Sequence, residues 1–320
     1  MTMAFSANLL FDLEQMFQYQ FMQHAFEAGT LVAIIAGIVG YFVVLRRSSF
    51  AAHSLSHIGF AGAAGAVLFG ISPVFGLLLF TSVGGVGMTV LGPRASHRDV
   101  QIGTVLAFML GLGVLFISLY SGYATEAYSI LFGEILGISS TDVLVTAIAG
   151  VIILSIVAVV YRPLLFASLD EDVAEAKGLH MHALGIIFML LVALATSIAV
   201  QVVGVLLIFS LMVTPAAIAQ RLANQPWRAL TISVIVSLTA TWLGLFVAFY
   251  EPYPVSFFIT SIVFILYLLA RLVYPKIRPQ KAHQTGFHRI TQGGQRTFLE
   301  TKIVVAQHVN NSPGNVRIGY

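Results

Sequence analysis

Ala28-Gly29-Thr30-Leu31-Val32-Ala33-Ile34-Ile35-Ala36-Gly37-Ile38-Val39-Gly40-Tyr41-Phe42-Val43-Val44-Leu45-Arg46-Arg47 is the stretch that decides the fold. Its first 18 residues carry no charge, and roughly 20 mostly apolar residues suffice for a helix to cross the hydrocarbon core. Two arginines then stop the run, and arginines beside a span are retained on the cytoplasmic side. One segment thus predicts a membrane crossing and its direction together. Similar runs recur at 51–69, 73–91, 100–120, 142–161, 183–200, 202–219, 229–250 and 255–273. The expected fold class is all-α, a polytopic integral membrane protein with about 8–9 transmembrane helices.

Composition agrees. Of 320 residues 58% are hydrophobic and only 9% charged, against about 25% charged in a soluble domain. That excludes an ordinary soluble enzyme or a nucleic-acid binder. The chain has no Cys, which excludes disulfides, zinc-thiolate sites and thiol catalysis. Residues 1–27 read as an outer-side amphipathic or re-entrant segment, too polar around Phe5 to Phe26 for a confident span. Residues 28–273 read as the transmembrane domain and 274–320 as a basic, flexible cytoplasmic tail, with His283, His288 and His308 solvated.

Threading the nine runs alternately places every cation on one side. Arg46, Arg47, Arg94, Arg98, Arg162, Lys177, Arg221, Arg228 and Arg271 fall in cytoplasmic loops, and the other seven of the 16 lie in the tail. The N-terminus is therefore expected outside and the C-terminus inside. Asp12, Glu14, Glu27, Glu126, Glu134, Asp142 and Glu251 all face outward with no cation among them. Such a face either gathers cations at an entrance, where Glu126, Glu134 and Glu251 are the candidates, or merely follows insertion bias.

Ionisable residues inside a span are costly and suggest function. Ala52-His53-Ser54-Leu55-Ser56-His57 opens the second run, and its histidines, four apart, share one helix face. His57 is expected roughly 15 Å beyond Arg47, near the bilayer midplane. Neutral imidazoles ligate zinc, manganese or iron; the residues alone equally allow buried histidines bonded to hydroxyls or carbonyls. After them Gly59-Phe60-Ala61-Gly62-Ala63-Ala64-Gly65-Ala66 offers small residues for close helix approach.

Two further stretches stand out. Ser168-Leu169-Asp170-Glu171-Asp172-Val173-Ala174-Glu175-Ala176-Lys177-Gly178-Leu179 predicts a short charged helix on the inner surface, capped by Ser168 or Asp170 and ended by Gly178. It suits docking of a soluble motor through Asp170, Glu171, Asp172, Glu175 and Gly178, or is an ordinary capped loop helix. In Val202 to Ala219, Pro215 frees a carbonyl and predicts a kink. No P-loop, His-Glu-x-x-His or nucleophile elbow is present.

At these stretches the chain resembles the membrane permease subunits of ATP-binding-cassette importers for zinc, manganese or iron. Arg46-Arg47-Ser48-Ser49-Phe50-Ala51-Ala52-His53-Ser54-Leu55-Ser56-His57 is similar to the family's Arg-Arg-x-x-Phe-x-Gly-Asp-x-Leu-Ser/Ala-His. Leu131-Phe132-Gly133-Glu134-Ile135-Leu136, the segment Leu169 to Leu179, and Val203 to Ala219 resemble three more of its motifs. The resemblance runs in order from about residue 20 to 273. It implies a homodimer in a bacterial cytoplasmic membrane, an ATPase subunit docked inside and a metal-binding protein outside. It also implies no catalysis and no permanently bound cofactor on this chain, with His53 and His57 holding the transported divalent ion. One departure is that His53 and Ala52 stand where the family has Asp and Gly, which leans towards zinc over manganese. A self-sufficient proton-coupled metal transporter is the alternative.

Overall fold

A computed structural model describes residues 14–91, 95–120, 130–251 and 253–273. Residues 1–13, Arg94, Glu126 and the tail from 274 onwards, on which several of the readings above fall, lie outside the described residues. The principal helices are α1 Gln20–Leu45, α2 Ser49–Leu68, α3 Pro73–Leu91, α4 Ala95–Ser118, α5 Ser140–Leu169, α6 Glu171–Ala176, α7 Met181–Val203, α8 Val205–Leu222, α9 Pro226–Tyr250 and α10 Val255–Val273. No strand occurs among the described residues. Among the described residues, eight helices are long and apolar enough to cross a membrane, all of those above but α2 and the six-residue α6.

The exception is informative. α2 has 20 residues, enough to cross, but His53, His57, Ser54 and Ser56 dilute its apolarity. Fourteen of its residues are buried, enclosed by α3, α4, α7 and α8. A helix shielded by protein rather than lipid can carry polar side chains, because neighbours rather than hydrocarbon surround them. The exposed apolar faces belong instead to helices such as α3, α4, α5 and α10, whose exposed residues include Leu79, Val83, Phe108, Val151, Phe257 and Phe264.

Small residues set the closeness of this packing. A Cβ on Gly62 of α2 would overlap the Gly76 carbonyl of α3, and one on Gly76 would overlap the Gly62 carbonyl. The two backbones therefore touch, as the small-residue run predicts. A buried hydrogen bond of 2.7 Å between Thr81 and Ser197 joins α3 to α7. The Ser233 hydroxyl donates to the Gly37 carbonyl at 2.8 Å and joins α9 to α1.

Three boundaries differ from expectation. The first helix starts at Gln20 rather than Ala28, because Met22 and Ala25 continue its buried stripe while Gln20, Gln23 and Glu27 are exposed. The fifth runs on from residue 161 to Leu169, with Pro163 inside it and Leu164 and Ala167 still buried. The break between the runs 183–200 and 202–219 falls at Gly204 instead, since α7 continues to Val203 and α8 begins at Val205.

Candidate functional site

α2 begins just after the Arg46-Arg47-Ser48 turn, and its spacing puts His53 and His57 on one face. Their rings meet edge to face with centroids 4.7 Å apart. Phe209 of α8 closes on the first of them, its ring centroid 4.6 Å from that of His53. Neither His53 Nδ1 nor His57 Nδ1 has a hydrogen-bond partner, although both atoms are buried. Histidines kept for packing alone satisfy such nitrogens, so the arrangement speaks against bonding to neighbouring hydroxyls. The nearby hydroxyls are spent on their own helix: Ser54 donates to the Phe50 carbonyl and Ser56 to the Ala52 carbonyl.

Helix rise locates the pair. The Arg46 guanidinium at the α1–α2 turn lies 5.2 Å from the Phe188 ring centre of α7. His53 comes about 10 Å further on. Counted up α8, Phe209 lies about 20 Å from Leu222. The His53–Phe209 contact sets these two residues at one level of the bundle, with His57 one turn nearer the Gly204 end.

Above the pair, towards that same end, lies a cavity of about 390 Å³. Ala63 of α2, Ser72, Glu134, Asp142 and Gln201 are among its lining residues. Asp142 is fixed in two ways. It completes a capping box with Ser139 at the start of α5, and the Gln201 amide donates to its Oδ1 at 3.1 Å. Glu134, exposed, follows Gly133, whose backbone is pressed on the α7–α8 turn: a Cβ there would sit 2.6 Å from the Gly204 nitrogen. Glu251, at the end of α9, is exposed and is not among the lining residues.

The short charged helix forms as its sequence predicts. Asp170 is the cap, accepting from the Val173 N–H at 3.0 Å, whereas the Ser168 hydroxyl turns back to the Leu164 carbonyl. Glu171, Asp172 and Glu175 are exposed, Ala174 is buried beneath them, and Gly178 with φ 85 reverses the chain. Pro215 is buried within α8, and the helix continues through it to Leu222.

Among the described residues, no group of three or more His, Cys, Asp and Glu side chains stands close enough to hold an ion. The histidine pair by itself does not make such a group. Phe209 and Gln201 are absent from the sequence-based set of site residues. Their places depend on contacts between distant helices, which no spacing within one helix announces.

A polar, histidine-bearing helix enclosed in a bundle of long apolar ones, with a charged helix outside, makes this a polytopic membrane protein. Residues 18–274 match the ABC 3 transport family, and the chain belongs to that family. It is 30% identical over 265 residues to the manganese transport system membrane protein MntC of Listeria monocytogenes, covering 82% of this chain and 94% of that one. It is 30% identical over 250 residues to the high-affinity zinc uptake system membrane protein ZnuB of Buchnera aphidicola, covering 77% and 95%. Among solved structures, PsaBC from Streptococcus pneumoniae in complex with Fab is similar with a TM-score of 0.77 and 29% identity, covering 86% of this chain and 99% of that one.

Proposed function

We propose that this protein is the membrane-spanning permease of an ATP-driven importer for a divalent transition metal. The observation that carries the proposal is the His53–His57 pair, set within the helix bundle with ring centroids 4.7 Å apart and both buried Nδ1 atoms unpartnered. Two imidazoles bind a transition metal but do not complete its coordination. That suits a cargo, which must be held well enough to come in and loosely enough to leave. Relatives named for manganese and zinc transport support the same class of cargo.

The ion enters from the cavity lined by Glu134 and Asp142 and leaves on the side of Arg46. Retention of arginines on the cytoplasmic side makes the Arg46 end cytoplasmic and the Gly204 end external. α6, with Glu171, Asp172 and Glu175 exposed, then lies where an ATPase subunit docks. A metal-binding protein delivers the ion outside. Two copies of the permease work together in a cytoplasmic membrane, and hydrolysis takes place on the ATPase.

Zinc is the favoured ion. With His53 in place of a carboxylate the pair offers borderline nitrogen donors, and manganese prefers oxygen. In vesicles holding the permease with its ATPase and binding protein, zinc uptake requires ATP and falls at least about tenfold in His57→Ala. Uptake that persists without the ATPase overturns the permease reading. In competition, His53→Asp shifts uptake towards manganese by about tenfold; a wild-type protein that already prefers manganese overturns the zinc assignment alone.

A further inference from the structure

α1 ends in a Schellman motif: the Ser48 N–H donates to the Val43 carbonyl at 2.9 Å and the Arg47 N–H to the Val44 carbonyl at 3.1 Å. Helices α2 and α6 end the same way, each with glycine in the left-handed position, Gly70 and Gly178. Here that position is Arg47, with φ 54. The turn is hydrogen-bonded and leads directly into the helix of the histidine pair, because the Ala52 N–H bonds the Ser48 carbonyl at 3.0 Å and His53 is the next residue.

Arg46, beside this turn, reaches two other elements. Its side chain is only 11% exposed, and its guanidinium lies 3.8 Å from Glu171 Oε1 of α6. The same guanidinium stands over Phe188 of α7, 5.2 Å from the ring centre. Glu171 is 73% exposed, and an ion pair so open to water contributes little to stability. Its placement is more telling than its strength. One cation touches the charged helix outside the bundle, the buried helix α7 and the turn that launches α2. Any shift of α6 relative to α7 must disturb the Arg46 contacts, and the hydrogen-bonded turn carries that disturbance to the first turn of α2.

We propose that Arg46 is a positioning residue that couples α6 to the histidine pair, so that movement of the ATPase-facing helix alters the placement of His53. The proposal rests on the permease reading. It is a claim about coupling between two sites, whose measure is the work transmitted rather than the binding at either end.

The test measures zinc imported per ATP hydrolysed by the reconstituted permease with its ATPase and binding protein, and zinc binding by the permease in detergent. Arg46→Met is expected to keep zinc binding and ATP hydrolysis within about twofold while zinc imported per ATP falls at least about fivefold. Glu171→Gln, at an exposed position where folding is not at stake, is expected to lower the ratio about twofold. Arg46→Lys keeps a cation over Phe188 and is expected to retain most of the ratio. A ratio unchanged in both Arg46→Met and Glu171→Gln, whether the two rates hold or fall together, overturns the proposal. A wild-type complex that imports no zinc under ATP overturns the permease reading itself, which separates the two failures.

Discussion

The chain reverses through a left-handed residue at Gly204 between α7 and α8, and again at Arg47 between α1 and α2. The two reversals answer to different constraints. At Gly204 the backbone has φ 84 and ψ 164, a region essentially reserved for glycine. A Cβ would also overlap Phe132 and the Gly133 nitrogen, because the 131–133 segment lies directly on the turn. Arg47, with φ 54, is exposed. Its cost is conformational alone, which leaves the residue type open to another requirement: a cation beside a span, facing the cytoplasm. Space dictates one residue and charge the other.

The strongest way to break this contrast is Gly204→Ala. Forced φ/ψ and backbone overlap act together, and we expect a loss of roughly 3 kcal/mol or more. The readout is the thermal midpoint of the detergent-solubilised protein. Gly70→Ala is the control, since φ is 69 there but nothing lies within 4 Å of the added Cβ. It should lose only about 1 kcal/mol. Equal losses at the two positions would mean that the 131–133 segment yields, and that crowding does not decide the residue at Gly204.

The same distinction explains what could be read in the sequence. Apolar runs announced the spans, since a helix in lipid must satisfy its own backbone and present apolar side chains. Asp170 and Gly178 announced α6, because a cap and a left-handed stop are local signals. Gly62 announced a close approach but not its partner, Gly76. Phe209 over His53, Gln201 on Asp142 and Glu171 on Arg46 were illegible, each joining residues from helices far apart in the chain. The extension of α1 back to Gln20 was missed for a related reason. Met22 and Ala25 are buried by helices that local polarity cannot reveal, and the His24 ring bonds the Ile138 carbonyl at 3.2 Å, 114 residues away.

Arg47→Gly sharpens the contrast from the other side and has the smallest effect. Glycine occupies the left-handed position without the steric cost borne by an L side chain. The Schellman bonds from the Arg47 and Ser48 N–H groups need no side chain and should remain. We therefore expect a gain of up to about 1 kcal/mol, read as a higher thermal midpoint. Topology should hold, because Arg46 still flanks the span. A loss instead would show that the Arg47 side chain makes contacts outweighing its strain, and charge would then be no freer a choice at this turn than space is at Gly204.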